Sequence, residues 1–263
     1  MALKAIESNS IRLGLGNGTF AKAVNYPVPG VTEISVADFN SDGIPDLAVN
    51  SSNFAIFHVP GKIFLGNGDG TFRTGTDLPP EIGSLVAADL NHDGRQDLAI
   101  SLRAGGVGIM LGNGDGTFQS VLALRKGRGE SLVVADFNGD GNLDVAGVGS
   151  TPSAAVASVY LGNGDGILQI AKNKWIRGDV SSLGAATADF NRDGNPDLAV
   201  TLSSGVVAVL FGDGTGGFQS QSFHPGGFAN QIPVVADFDG NGTPDLVFPD
   251  SVENTVSVLL NQP

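Results

Sequence analysis

The apolar residues of this chain fall into short runs rich in Val, Ile, Leu and Ala, and each run is bounded by Gly, Pro, Asn or Asp. The run Val133–Ala135 precedes one acidic stretch, and Leu198–Thr201 follows another. Short β-branched runs between turn-forming residues predict strands. The pattern therefore predicts an all-β protein whose strands are joined by tight polar turns.

One acidic stretch occurs five times between such strands, and we call it the acidic loop. Counted from its first Asp, side-chain oxygens stand at positions 1, 3, 5 and 9, and Gly stands at position 6. This spacing folds several oxygens inward around one hard cation, and Gly permits the sharp turn. Position 7 varies, as expected where only its backbone carbonyl is a ligand. The predicted ligands, five for each of about five Ca²⁺ ions, are Asp38, Asn40, Asp42, Ile44, Asp46; Asp89, Asn91, Asp93, Arg95, Asp97; Asp136, Asn138, Asp140, Asn142, Asp144; Asp189, Asn191, Asp193, Asn195, Asp197; and Asp237, Asp239, Asn241, Thr243, Asp245.

Two other interpretations of the acidic loop are less favourable. An EF-hand requires a bidentate Glu at position 12 and flanking helices, but the residues at position 12 are Val49, Ile100, Gly147, Val200 and Phe248. A plain turn, with Asp and Asn bonding to their own backbone, explains one copy better than it explains five with the same ligand positions.

A second motif alternates with the acidic loop and predicts a hairpin within each repeat. It reads Leu-Gly-Asn-Gly-Asp-Gly-Thr-Phe at 65–72 and 111–118. Variants occur at 161–168 and 211–218, and a shortened copy occurs at 15–20. Asn-Gly and Asp-Gly between apolar runs are strong hairpin signals. Simple turn chemistry explains Asp69, Asp115 and Asp165.

The spacing of the acidic loops predicts the architecture. Their first Asp residues are separated by 51, 47, 53 and 48 residues, and a period near 50 with about four strands predicts a β-propeller. We predict a single domain over residues 1–263 with five four-stranded antiparallel blades, whose repeats start near 31, 84, 131, 183 and 232. A β-solenoid is the alternative. WD40 repeats are disfavoured because the chain has a single Trp.

These two motifs resemble the FG-GAP/VCBS-type repeat, which builds the propellers of integrin alpha subunits and of many secreted bacterial proteins. The resemblance covers nearly the whole chain. It implies a propeller with calcium in the loop between the first two strands of each blade, which maps onto residues 38–46, 89–97, 136–144, 189–197 and 237–245. In the fifth copy Asp239 and Asn241 exchange the usual Asn and Asp, so calcium binding with altered geometry is expected there.

Charge and composition narrow the classes of function. The net charge is −13, and 15 of the 27 acidic residues lie in the acidic loops. The acidity is therefore interpreted as cation binding, and it argues against a nucleic-acid partner, which would need a basic patch. The chain has no Cys, and no apolar run approaches the roughly 20 residues of a membrane span. Tight three-carboxylate sites favour an extracellular or cell-surface location, as part of a longer secreted protein.

Strand order predicts two unlike faces of the propeller. If the first strand of each blade enters the acidic loop, the acidic loops and Gly-rich turns share one face. The irregular connections share the other, which we call the variable-loop face. Variable loops on a rigid scaffold suit recognition. The candidate contacts for a protein or glycan ligand are Trp175, Arg125, Arg128 and Arg177, with packing of Trp175 between blades and solvated basic side chains as the plainer interpretations.

No constellation of catalytic residues is found in the sequence. We therefore predict a non-catalytic adhesion or recognition scaffold. The alternatives are a lectin and an accessory domain of, or a propeller-type, polysaccharide-cleaving enzyme.

Ring closure is the last expectation from the sequence. The end of the chain supplies three strands of the fifth blade, and residues 19–30 can supply the fourth in a 3+1 arrangement. Strand 255–260 and residues 10–16 would then compete for one place. A monomer is expected, with strand exchange between molecules as the rival.

Overall fold

All regular elements in the described part of the computed structural model are β-strands, as the apolar pattern predicts. The structure describes residues 9–51, 60–80, 82–103, 105–124, 126–169, 172–176, 181–226, 232–250 and 253–262.

Four complete blades follow one another along the chain, each an antiparallel sheet of four consecutive strands. The first blade comprises β3 (Val31–Ala37), β4 (Asp46–Ser51), β5 (Lys62–Gly66) and β6 (Phe72–Asp77). The second comprises β7 (Ile82–Ala88), β8 (Asp97–Leu102), β9 (Val107–Met110) and β10 (Leu122–Leu124). The third comprises β11 (Ser131–Ala135), β12 (Asp144–Ser150), β13 (Ala155–Tyr160) and β14 (Lys172–Ile176). The fourth comprises β15 (Ser182–Ala188), β16 (Asp197–Leu202), β17 (Val206–Gly212) and β18 (Phe218–Pro225).

The fifth blade has three strands among the described residues: β19 (Val234–Ala236), β20 (Asp245–Asp250) and β21 (Thr255–Leu259). A cavity of about 440 Å³ lies beside it. The cavity is lined by apolar side chains of the fourth and fifth blades, including Phe190, Val209 and Leu259.

The predicted 3+1 closure is not formed among the described residues. The N-terminal segment makes its own two-stranded sheet from β1 (Asn9–Ile11) and β2 (Val24–Tyr26), with Ile11 opposite Val24. The pairing edge that β2 would offer to β21 is therefore already taken by β1. This hairpin packs on the first blade, because the ring of Tyr26 meets Phe64 and Phe72 edge-to-face at 5.6 and 5.7 Å.

The first Gly-rich turn is also complete, not shortened. The backbone bridge Gly14↔Phe20 corresponds to Gly112↔Phe118 in the second blade. The motif therefore begins at Leu13 and has Leu15 where the other copies have Asn or Asp. The N-terminal hairpin is thus the outer half of a blade that precedes the first complete one.

The same register recurs in all five repeats and carries the core. In each, the Ala before the acidic loop pairs with the Asp at its position 9. The first strands lie side by side in chain order, β3 to β7 to β11 to β15 to β19. Alternate side chains fill the space between successive blades, as in the cluster of Phe39, Ile63 and Leu65 with Leu85 and Ile100. The fold therefore places five acidic loops on one face.

Candidate functional site: acidic loops and variable-loop face

The Asp at position 9 of each acidic loop is buried and holds the loop to the rest of its blade. In the third loop one carboxylate oxygen of Asp144 accepts a hydrogen bond from the N–H of Phe137 at 2.8 Å, and the other accepts from Gly162 at 2.8 Å. The same two bonds recur at 2.7–2.9 Å for the other four residues, Asp46, Asp97, Asp197 and Asp245. All five are fully buried. The spacing in the sequence predicts these residues only as metal ligands. Their second role, holding the loop to the blade, depends on the N–H of a glycine or asparagine 15–20 residues further on.

The remaining oxygens of the loop are fixed by its own backbone. In the fourth loop Asp189 accepts from the N–H of Gly194 at 2.9 Å and from that of Asp193 at 3.1 Å. Asp193 accepts from Asn195 at 2.8 Å. Asn191 donates to Asp193 at 2.9 Å and accepts from its N–H at 3.0 Å. These bonds turn the side chains at positions 1, 3 and 5 of the loop towards one another.

Left-handed backbone at two positions makes this wrapping possible. Position 6 is Gly throughout, as predicted, with φ between 79° and 87°. Position 4 is also left-handed, and Ser41, His92 and Arg192 adopt φ of 57–61° there without being Gly. The Gly residues at this position in the third and fifth loops, Gly139 and Gly240, were the available signal in the sequence.

The donor set fits a hard cation. In the fifth loop one carboxylate oxygen from each of Asp237, Asp239 and Asp245 lies within 4.8 Å of the other two. The other four loops have Asn at position 3 and Asp at position 5, so each also carries three carboxylates. Among the described residues, only the fifth loop brings three of them within this distance. Carboxylate and amide oxygens are the ligands that Ca²⁺ prefers. A position 9 Asp that accepts two N–H bonds keeps free lone pairs, because each oxygen carries two.

The acids of one loop differ in electrostatic environment. Burial raises the pKa of Asp144 above the usual value for an aspartate, against the hydrogen bonds of Gly162 and Phe137 and with the charges of Asp140 and Asp136 adding to the rise. The hydrogen bond from the N–H of Asn142 lowers the pKa of Asp140. A cation would relieve the repulsion among these three carboxylates.

Neighbouring acidic loops are in contact with one another. The ring of His92, at position 4 of the second loop, lies 3.2 Å from the amide oxygen of Asn142 at position 7 of the third. Arg192 of the fourth loop donates to the carbonyl of Asn241 in the fifth at 3.4 Å. Direct contacts thus join the second loop to the third and the fourth loop to the fifth.

Turn chemistry accounts for the acids of the Gly-rich turns, as predicted. Asp69 accepts from the N–H and the hydroxyl of Thr71 at 2.8 and 2.6 Å, and these bonds lower the pKa of Asp69. Asp115 makes the equivalent bonds.

On the variable-loop face, Arg128 lines a cavity of about 270 Å³ together with Arg103 and Glu130. The backbone there is held by Tyr160, whose hydroxyl donates to the carbonyls of Lys126 at 2.6 Å and Arg128 at 3.1 Å. Burial raises the pKa of Tyr160 to about 12. This loop is therefore tied to the core of the third blade.

Trp175 lies elsewhere, on the outermost strand of the third blade. It is 56% exposed and lines a groove of about 530 Å³ with Phe223 and the polar side chains of Asn173, Gln219 and Gln221. The expectation that it packs between blades does not apply to so exposed a side chain. Trp175 and Arg128 line different depressions, and the other two predicted contacts, Arg125 and Arg177, lie outside the described residues.

Comparison with known families decides the relationship. The model of the FG-GAP-like repeat matches residues 89–147, 148–200 and 189–248, which is more than half of the chain. This chain belongs to the FG-GAP-like repeat family. No curated protein matches it significantly.

Two solved structures are similar to this chain, and the first of them shares its fold. The crystal structure of BBS1N in complex with ARL6DN, soaked with mercury, is 15% identical with a TM-score of 0.58, over 92% of this chain and 69% of that one. The Vibrio cholerae biofilm matrix protein Bap1 is 21% identical with a TM-score of 0.47, over 87% of this chain and 37% of that one. Among the described residues of this FG-GAP-like protein, no helix is long and apolar enough to cross a membrane.

Proposed function

We propose that the five acidic loops each bind one Ca²⁺ ion and that the protein is a non-catalytic extracellular scaffold for adhesion or recognition. The observation that carries the metal assignment is the recurrence, in all five repeats, of a loop whose side-chain oxygens accept the same backbone N–H bonds and whose position 9 Asp is buried. One such turn is ordinary polar structure, whereas five with the same ligand positions indicate a common occupant.

The loops hold these oxygens before an ion arrives. The Asp at position 1 accepts two or three backbone N–H bonds, the Asp or Asn at position 5 accepts one, and the Asp at position 9 holds the loop to the blade through two. A prearranged site loses less conformational entropy on binding. When bound, the ion would neutralise carboxylates that otherwise repel one another, so binding and stability should be coupled.

A calcium titration tests this assignment. The melting temperature should fall in EDTA and recover with Ca²⁺ more than with Mg²⁺, which prefers a smaller octahedral site. A site held at 100 times its Kd adds about 2.7 kcal/mol to the free energy of unfolding. Native mass spectrometry should count five ions in the wild type and four in Asp193→Ala. Asp115→Ala, which removes a Gly-rich turn acid, is the matched control and should keep five. A melting curve unchanged by EDTA contradicts the proposal.

The recognition role is supported by the variable-loop face. Arg103, Arg128 and Glu130 bring both signs of charge to the rim of one cavity there, and BBS1N, which shares the fold, was crystallised with a protein partner. A protein ligand with acidic and basic side chains suits this cavity. Arg128→Ala should weaken binding of such a partner and leave calcium binding unchanged. Turnover of acidic polysaccharides, followed by the absorbance of unsaturated products, would contradict the non-catalytic role.

A lectin is the second candidate, and the groove at Trp175 favours it. An exposed indole beside amide side chains suits a sugar ring, which stacks on an aromatic face and bonds through its hydroxyl groups. A glycan array separates the candidates: binding lost in Trp175→Ala supports the lectin, and binding of a protein partner lost in Arg128→Ala supports the scaffold.

A further inference from the structure

The last blade exposes one apolar face. The side chains of Val234, Phe238, Val256, Val258 and Leu260 are between 48% and 65% exposed. By strand register, Val256 and Val258 correspond to Val207 and Val209 of the fourth blade. That earlier pair is at most 6% exposed because it packs against Leu246 and Phe248 of the blade that follows. The exposed face is thus the one on which a next blade packs.

The N-terminal hairpin exposes the complementary side. Phe20, at the end of its Gly-rich turn, is 65% exposed. The equivalent residue of the second blade, Phe118, lies 5.7 Å from Phe39 of the blade before it. Phe218 of the fourth blade likewise lies 6.0 Å from Phe137. Each of these contacts joins the Gly-rich turn of one blade to the acidic loop of the preceding blade.

Phe238 is the counterpart of Phe39 and Phe137 in the last blade. The N–H of each donates to the position 9 Asp of its own loop, at 2.8–2.9 Å. Phe238 is 50% exposed. Among the described residues, Phe20 and Phe238 are thus the two halves of a ring contact that two internal junctions make, and neither has a ring partner.

A second pair of positions repeats the match. A Cβ placed on Gly116 would lie 3.0 Å from the side chain of Leu65 in the preceding blade, and one on Gly216 would lie 2.4 Å from Leu161. Gly18 holds this position in the N-terminal hairpin and has nothing within 4 Å of such an atom. Leu260 holds the position of Leu65 and is 48% exposed.

We propose that the exposed face of the last blade binds the N-terminal hairpin of a second copy of this chain, with Phe238 against Phe20 and Leu260 over Gly18. The contact repeats the packing of internal blades, so it needs no strand to leave its sheet. Because β2 stays packed on the first blade through Tyr26, the second copy continues the row of blades. A head-to-tail contact of this kind builds rings or open chains.

Net charge sets the conditions for this association. In EDTA, where no Ca²⁺ is bound, two copies that each carry −13 repel at low ionic strength, and salt screens that repulsion. The apolar contact itself weakens little with salt. Association should therefore strengthen as salt is raised from 20 to about 300 mM, the opposite of an interface built on ion pairs.

Sedimentation velocity of the full chain over a range of concentrations tests the proposal. The wild type should form dimers and longer species as concentration rises. Phe238→Asp and Phe20→Asp should each weaken association at least about tenfold, because a charge would replace a central aromatic contact. Ile167→Asp is the matched control, since Ile167 is 52% exposed on the Gly-rich turn of the third blade, and it should associate like the wild type. Equal melting temperatures will show that all three variants fold.

Mixing the two variants gives the sharper result. Phe20→Asp keeps an intact last blade and Phe238→Asp keeps an intact hairpin, so each alone should be a monomer and the mixture should form a one-to-one dimer that does not grow. A wild type that stays monomeric at all concentrations overturns the proposal. A mixture that contains only monomers also overturns it, and this is the result expected if the two ends of one chain close on each other. Association that survives both substitutions overturns it as well.

Discussion

The two faces of the blades are held together by different means. On the acidic-loop face all five repeats use one device, a buried Asp that receives two backbone N–H bonds. On the variable-loop face the contacts differ from blade to blade: Tyr160 bonds to the carbonyls at 126 and 128, whereas Asn50 donates to the carbonyl of Gly83 at 2.8 Å. A hydrogen-bond arrangement that recurs in every blade fixes the scaffold, whereas the loops of the opposite face can vary in sequence one at a time.

The largest expected effect comes from removing the buried device in one blade. Asp144→Ala leaves the N–H groups of Phe137 and Gly162 buried without their partner, which should lower the free energy of unfolding by about 4 kcal/mol, given 1–3 kcal/mol for each such group. Urea unfolding in EDTA measures this apart from metal binding. Asp140→Ala, at the exposed position 5 of the same loop, is the control and should cost much less under these conditions, because its partners stay accessible to water. Equal losses of unfolding free energy in the two variants would mean that the two hydrogen bonds to Asp144 are not the source of stability.

The next effect tests a contact particular to the other face. Tyr160→Phe removes the hydroxyl that binds the carbonyls of Lys126 and Arg128, and should cost about 1–2 kcal/mol. Amide hydrogen exchange in 126–130 should accelerate while exchange in the acidic loops stays unchanged. If protection changes equally on both faces, the two regions are more strongly coupled than these contacts imply.

A smaller effect is expected from Glu33, which joins the first two blades near the variable-loop face. Its carboxylate accepts from the N–H of Leu85 at 2.8 Å, and burial raises its pKa. An acid whose pKa is higher in the folded than in the unfolded state binds its proton more tightly when folded. Its contribution to the free energy of unfolding is therefore present below the unfolded pKa of about 4.3 and is lost as pH rises through the folded pKa. Glu33→Gln keeps an oxygen that can accept the hydrogen bond of Leu85 but does not titrate, so its stability should not fall for this reason as pH rises.

Comparing the pH dependence of the two proteins checks the sign. The stability of the wild type relative to Glu33→Gln should decline from about pH 4 towards neutral pH. Glu130→Gln, an exposed acid on the same face, should follow the wild type. A relative stability that rises with pH would contradict the burial of Glu33.

Local spacing made much of this structure predictable. The acidic loop and its left-handed Gly lie within nine residues, directly between the two strands that they join, so the pattern of Asp, Asn and Gly specifies them locally. The resemblance of these motifs to the FG-GAP-like repeat then predicts the propeller fold. The clamp at Asp144 was not predictable, because its second partner, Gly162, comes from a different turn of the blade.

The ends of the chain and the ligand candidates were less accessible from sequence. The segments 10–16 and 255–260 both match the third strand of a blade, and only tertiary packing decides that β1 pairs with β2. Trp175 was placed with the basic residues because they are near in sequence, but strand β14 runs along the outer edge of the blade and carries the indole away from Arg128.

The smallest effect on stability should come from Trp175→Ala, and it sharpens the contrast between scaffold and surface. The indole is mostly exposed, so its removal should change the free energy of unfolding by less than about 0.5 kcal/mol, the range of ordinary surface substitutions. Any glycan binding should nonetheless fall by about tenfold or more, because stacking on the aromatic face depends on the ring itself. Trp175→Phe should keep part of that binding, and Phe223→Ala, across the groove, should reduce it less. Isothermal titration beside a melting curve measures both quantities, and a large loss of stability would show that Trp175 belongs to the packing of the third blade after all.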